Sequence, residues 1–156
     1  MPPLSPLTSF LLQRDRLLLP GTPPLTLHRI CFDAAAFTPA CFAAHGMALP
    51  ASLQHAAPKR LGEFLAGRLA AREALRPFGL AGNGVAIGSA REPLWPLGME
   101  GSISHSQLAG QGVALCGVRP AQGGMGLDLE AWLGPEQGSQ LWSGIVDEDE
   151  WGRLEA

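Results

Sequence analysis

Pro58-Lys59-Arg60-Leu61-Gly62-Glu63-Phe64-Leu65-Ala66-Gly67-Arg68 opens the longest helical pattern in the chain, which runs on to Arg76. Leu61, Phe64, Leu65, Leu69 and Leu75 recur at helical spacing and fall near one face. Pro77 and Gly79 stop the helix. Arg68, Arg72 and Arg76 follow one another at i+4 and form a stripe along its flank. Gly67 removes a side chain in mid-helix, at a cost of roughly 1 kcal/mol against Ala. Close packing of the helix on a sheet offsets that cost, and so does the approach of a ligand.

Strand patterns flank this helix. A short strand is expected around Phe10 to Leu19, another over Leu25 to Phe32 and a third over Gly112 to Val118. Ala34 to Ala44 is too interrupted to assign, and Pro50 to Ala57 reads as a loop entering the helix. Gly82 to Gly88 reads as a turn with a short strand, and Arg91 to Gly98 as a Pro-bounded loop. Gly101 to Ser106 reads as the start of a strand–turn unit. Gly123 and Gly124 mark a turn before a short strand over Met125 to Leu129. Trp132 to Ser139 reads as a loop and Leu141 to Ile145 as a short helix. Asp147 can cap a helix running to Glu155, with Glu150 at the capping-box position. The fold class expected is α+β.

Composition narrows the function classes. The chain has 156 residues, enough for one domain with a real core. Apolar residues at 46 % and charged residues at 16 % exclude a disordered chain. A net charge of −3 disfavours a non-specific nucleic-acid binder. Charge is uneven: Lys59 to Arg76 is basic and Asp128 to Glu155 acidic. Such a pair of stretches can hold an anionic ligand through a cation, or be two solvated faces. The three cysteines, Cys31, Cys41 and Cys116, match no metal spacing and read as inert thiols in a reducing compartment. The apolar, Pro-rich start lacks a basic region before an unbroken apolar core, so it is a poor signal peptide. No stretch reaches about 18 uninterrupted apolar residues, so no membrane span is expected, and the cytoplasm is the default location.

Three short stretches carry chemistry. In Gly126-Leu127-Asp128-Leu129-Glu130, alternation along a strand would put Asp128 and Glu130 on one face. Two neighbouring carboxylates repel unless a cation lies between them. Mg²⁺ takes one or two carboxylates and completes its shell with water and phosphates. The same pattern also suits an exposed strand with a solvated acidic face. In Gly101-Ser102-Ile103-Ser104-His105-Ser106, small hydroxyl residues around a histidine suit a turn that meets an anion; a purely structural histidine is the alternative. Ser104 lacks the flanking glycines of a serine-hydrolase elbow. In Arg91-Glu92-Pro93-Leu94-Trp95-Pro96, Arg91 is a cation in a stiff loop, suited to bidentate phosphate contact. Trp95 can stack on a planar ring or pack beneath the loop.

Taken in order, Lys59-Arg60 with Glu63 to Arg68, then Arg91 to Pro96, Gly101 to Ser106 and Gly126 to Glu130 closely resemble the 4′-phosphopantetheinyl transferases of the enterobactin-synthetase component D type. The resemblance covers roughly half the chain, from Pro58 to Glu130. It implies transfer of the phosphopantetheine arm of coenzyme A to a serine of an apo acyl or peptidyl carrier protein, leaving 3′,5′-ADP. By this resemblance Asp128 and Glu130 are Mg²⁺ ligands, and they join His105 as the catalytic set. Ser104 and His105 touch the coenzyme A phosphates. Arg60, Arg68 and Arg91 bind the nucleotide end and its 3′-phosphate, and Pro93 shapes the adenine loop. Siderophore synthesis is the pathway towards which the resemblance leans.

The family also carries a later helix with a Lys-Glu motif that completes the metal site, and its fold is two similar α/β halves with the site in the cleft between them. These 156 residues contain no Lys-Glu pair, and Lys59 is the sole lysine. The expectation is a complete first half over residues 1–120 and a truncated second half over 121–156. Three readings follow: an active transferase whose missing motif another chain supplies, an inactive homologue that only binds coenzyme A, and a non-catalytic interaction domain. A half-built second domain is also expected to expose an apolar face near Trp132, Trp142 and Trp151.

Overall fold

The computed structural model describes residues 10–108, 111–130 and 136. It is α+β: a four-stranded antiparallel sheet with one long helix across one face. The strands are β1 (Leu11–Leu19), β2 (Leu25–Phe32), β5 (Met99–Leu108) and β6 (Gln111–Pro120), in the order β1-β2-β6-β5. A short helix α1 (Ala40–Ala44) and the long helix α2 (Pro58–Leu75) separate β2 from a two-residue pair, β3 (Ala86–Ile87) and β4 (Pro93–Leu94). Among the described residues, no helix is long and apolar enough to cross a membrane.

β6 is central, and the run from Gly112 to Val118 is buried throughout. A strand covered on both faces needs an unbroken apolar run, which Val-Ala-Leu-Cys-Gly-Val supplies. Ala114, Cys116 and Val118 face α2 together with Ile30 and Phe32 of β2. Val113, Leu115, Leu27 and Cys31 are also buried but lie outside that helix-facing core, on the other side of the sheet. Gly112 admits Phe32: a Cβ there would lie 2.3 Å from the ring. All three cysteines are free and buried, and burial pushes the Cys116 thiol up to about 12.

Pro58 occupies the first turn of α2, where its missing N–H costs nothing. Leu61, Leu65, Leu69 and Leu75 are buried as their spacing predicts, while Phe64 is only partly covered. Ala66, Ala70, Ala71 and Ala74 are buried as well, so small residues let the helix sit low on the sheet. Gly67 takes part in this close approach: a Cβ there would come within 2.9 Å of Ile103 Cγ2.

Two assignments need correction. Gly101 to Ser106 is strand as expected, but the turn read around His105 is not there: the whole stretch is interior to the ten-residue β5, at the edge of the described sheet. Met125 to Leu129 joins no strand ladder. It keeps the alternation expected of it, with Met125, Leu127 and Leu129 half-buried and Gly126, Asp128 and Glu130 exposed. Of the loop expected over Trp132 to Ser139, Glu136 alone is described, and it is helical; the helices expected over Leu141 to Ile145 and Asp147 to Glu155 lie outside the described residues, as do Trp132, Trp142 and Trp151.

Candidate functional site

Alternation along β5 creates two sides with different chemistry. Gly101, Ile103 and His105 face α2, whereas Ser102 and Ser104 face away from it. On the α2 side lies a cavity of about 730 Å³ lined by Arg60, Glu63, Phe64, Gly67, Arg68, Arg91, Pro93, Ile103 and His105. Five of the six residues expected to bind coenzyme A therefore share one cavity: Arg60, Arg68, Arg91, Pro93 and His105. Ser104, the sixth, is buried on the opposite face of the strand.

The charged side chains lining the cavity are mainly cationic. Three guanidiniums line it against one carboxylate, Glu63. Arg68 lies over the Phe64 ring at 4.6 Å from its centroid and donates to the Ala86 carbonyl at 3.5 Å. Burial pulls Arg68 below the ordinary guanidinium value, and Arg60 nearby adds to that pull. Among the described residues its Nε has no hydrogen-bond partner. A buried N–H left unpaired costs about 1–3 kcal/mol, and an incoming acceptor removes that cost. His105 Nδ1 stands 3.9 Å from Glu63 Oε2, and both side chains line the cavity.

Arg91 is held at φ 66°, in the left-handed region. Its loop is closed by its neighbours. Gly88 N–H donates to Glu92 O at 2.8 Å and Arg91 N–H to Gly88 O at 3.0 Å. The Glu92 carboxylate accepts from Ala90 N–H at 2.8 Å. Sequence reasoning gave Glu92 no role; its contacts are local to the loop and no pattern marks them. Trp95 packs beneath the loop against Gly101, where a Cβ would stand 2.8 Å from the indole.

Sequence reasoning also missed Ser52, His55 and Ser89, which line the cavity from loops. A second hollow of about 720 Å³ shares Ser52, Phe64, Arg68 and Ile87 with the first and adds Arg72 and apolar residues such as Met47, Leu75 and Val85. Arg72 is tied to the His45 carbonyl. The expected stripe of Arg68, Arg72 and Arg76 thus separates: Arg76 pairs with Glu73 at 3.0 Å on the surface.

Asp128 and Glu130 do not line the cavity. Both are exposed on one side of the segment that follows Gly123 and Gly124. Asp128 Oδ1 accepts from Ser104 Oγ at 3.4 Å, so this carboxylate lies beside the strand that presents His105 on its other face. Among the described residues no group of three or more His, Cys, Asp or Glu gathers as a metal cluster. Two exposed carboxylates on one face are hard oxygen donors, a set that fits Mg²⁺ completing its shell with water and phosphate oxygens.

The fold is an α+β unit with a cationic cavity between α2 and β5, and the motifs stand along the chain in the order read from the sequence. Similarity to known proteins supports a member of the 4′-phosphopantetheinyl transferase family. The family description "4′-phosphopantetheinyl transferase N-terminal domain" matches residues 49–115. Enterobactin synthase component D of Escherichia coli O157:H7 is 38% identical over 131 residues, 83% of this chain and 58% of the relative. That of Salmonella typhimurium LT2 is 35% identical over 133 residues, covering 83% and 52%. The 4′-phosphopantetheinyl transferase PptT of Mycobacterium tuberculosis is 40% identical over 72 residues, covering 46% and 31%. The chain spans between about a third and three-fifths of the length of these relatives.

Proposed function

We propose that this chain supplies the coenzyme A-binding part of an Mg²⁺-dependent transferase that moves the 4′-phosphopantetheine arm onto a serine of an apo acyl or peptidyl carrier protein. The observation that carries the reading is the cavity that gathers Arg60, Arg68, Arg91, Pro93 and His105 between α2 and β5. The reaction forms a bond from the serine oxygen to the β-phosphorus of coenzyme A. It breaks the bond to the bridging oxygen, releases 3′,5′-ADP and moves the serine proton to a base.

In this reading the guanidiniums of Arg60, Arg68 and Arg91 hold the nucleotide end and its 3′-phosphate, and Pro93 fixes the wall against the adenine. His105 donates to a phosphate oxygen. Ser104, on the far face of β5, acts on the carboxylate segment instead of on the phosphates. Asp128 and Glu130 would hold Mg²⁺, which when bound neutralises charge developing on the diphosphate. β5 is the edge strand of the described sheet, so the cavity and Asp128 lie on the two sides of one strand. The unit of helix and sheet is read as one of two similar halves, residues 1–120 belonging to the first and 121–156 to the second. The relatives' names favour a siderophore carrier as the acceptor.

Titration calorimetry with coenzyme A and with its analogue lacking the 3′-phosphate tests the binding. Coenzyme A is expected to bind more tightly, and Arg68→Gln to weaken it by roughly tenfold or more, as for a lost charge-assisted hydrogen bond. Intact mass of an apo carrier, with and without Mg²⁺, tests the transfer. A mass gain that needs Mg²⁺ and disappears in Asp128→Ala supports the transferase. No gain from a chain that still binds coenzyme A supports a binding unit alone. No binding at millimolar coenzyme A discards both for an interaction domain.

A further inference from the structure

On the sheet face turned away from α2, β5 presents Glu100, Ser102 and Ser104 at every second position. Each accepts a main-chain N–H from the segment that carries the carboxylates. Glu100 Oε2 takes Gly124 at 2.7 Å, Ser102 Oγ takes Leu127 at 3.0 Å and Ser104 Oγ takes Leu129 at 2.9 Å. Yet residues 121–130 join no strand ladder. The bonds that would be main chain to main chain in a sheet are here side chain to main chain.

We propose that Glu100, Ser102 and Ser104 are positioning residues: a side-chain ladder on β5 that sets the register of residues 124–130 and so aims Asp128 and Glu130 outward together. The register is a meaningful quantity because extended chain alternates its side chains. A slip by one residue would turn Leu127 and Leu129 outward and both carboxylates under the sheet. Ser104 uses both of its capacities, accepting from Leu129 and donating to Asp128 Oδ1 at 3.4 Å. Leu129 N–H is also shared with Asp128 Oδ1 at 3.0 Å, which ties the carboxylate to the same rung.

The first rung is braced. Arg119, opposite Glu100 on β6, donates to Glu100 Oε1 at 2.7 Å and to the Gly124 carbonyl at 2.9 Å. The rungs step by two residues along β5 but by three and then two along the segment. The extra residue lies between Gly124, at φ +116°, and Leu127. Met125 fills the space over Gly117, where a Cβ would stand 2.6 Å from its methyl. Ordinary β-pairing could not absorb this mismatch without a bulge, whereas side chains can.

The purpose of the ladder rests on the metal reading above, but its existence does not, and the test separates the two. Amide hydrogen exchange by NMR is measured on the full chain and on Ser102→Ala, Ser104→Ala, the double variant and the Ser→Thr replacements. Each Ala is expected to lower protection roughly tenfold at its own partner, Leu127 or Leu129, and each Thr to restore it. Mn²⁺, titrated as a relaxation probe, is expected to bind the double Ala variant several-fold more weakly while α2 amide shifts stay in place. Unchanged protection at Leu127 and Leu129 overturns the ladder. Lost protection with unchanged Mn²⁺ affinity overturns its positioning role. If the unaltered chain takes up no Mn²⁺, the metal reading fails, and exchange alone decides the ladder.

Discussion

Ser104 and His105 are neighbours in the chain, yet β5 sends them to opposite sides of the sheet. The His105 imidazole lines the cationic cavity beside Glu63, and the Ser104 hydroxyl is buried against Leu129 and Asp128. Their replacements should therefore separate. His105→Asn is expected to weaken coenzyme A binding by roughly tenfold, the loss of one hydrogen bond to a charged group, and to leave Leu129 amide exchange unchanged. Calorimetry and NMR exchange on the same sample check both halves of the statement.

Gly112 has no room for a side chain. The Phe32 ring, fully buried, occupies the place of a Cβ at 2.3–2.6 Å. Gly112→Ala should cost about 1–3 kcal/mol through overpacking. Adding Phe32→Leu to that variant should recover part of the loss. Urea unfolding midpoints of the three variants, compared as a cycle, give the coupling.

Arg91 occupies a backbone conformation that disfavours an L-residue by about 1–2 kcal/mol, whereas glycine adopts it freely. Glycine also gains about 0.5–1 kcal/mol of freedom in the unfolded chain. Arg91→Gly is therefore expected to keep stability within about 1 kcal/mol, with any change favourable, while weakening coenzyme A binding. A variant that unfolds instead would show that the Arg91 side chain holds the fold and not the ligand.

Burial holds His45 below the ordinary imidazole value of 6.5, and Arg72 and Arg14 push it further down. His28 is lowered as well, chiefly by burial. Near and below pH 6.5 the unfolded chain binds protons that the native chain refuses. Their contribution is therefore complete above that pH and is lost as the pH falls towards the depressed native values. Unfolding midpoints should drop between about pH 7.5 and pH 5.5. His45→Phe, placed beside the Phe10 ring, should flatten part of that slope. The Arg72 contact survives, since it uses the His45 carbonyl.

Much of the fold was legible because its signals are local. β2 and α2 lie where period and punctuation put them, and β6 extends its apolar run only slightly. The turn was placed too early in β5 because Ser-Ile-Ser-His-Ser has the composition of a turn. On an edge strand between a polar cavity and a polar ladder, those residues are what alternation requires. The cavity residues were legible as an ordered set of motifs, although no single one points to a shared cavity. Glu100 and Arg119 were not legible, since each acts through a partner that only the folded chain brings near, and Glu92 was not, since no pattern marks its contacts within the loop. Met125 to Glu130 alternates as expected, but the bonds that hold it come from side chains 24–25 residues away.

The loop from Gly88 to Glu92 is closed by its own acidic neighbour rather than by anything it would bind. Its shape therefore exists before a ligand arrives. In the proposed function the backbone that presents Arg91 to a phosphate is set in advance, and little backbone freedom remains to be surrendered at capture. Anion uptake at this wall should resemble docking to a finished mould, with a rate set by encounter and charge attraction and not by the folding of a flap.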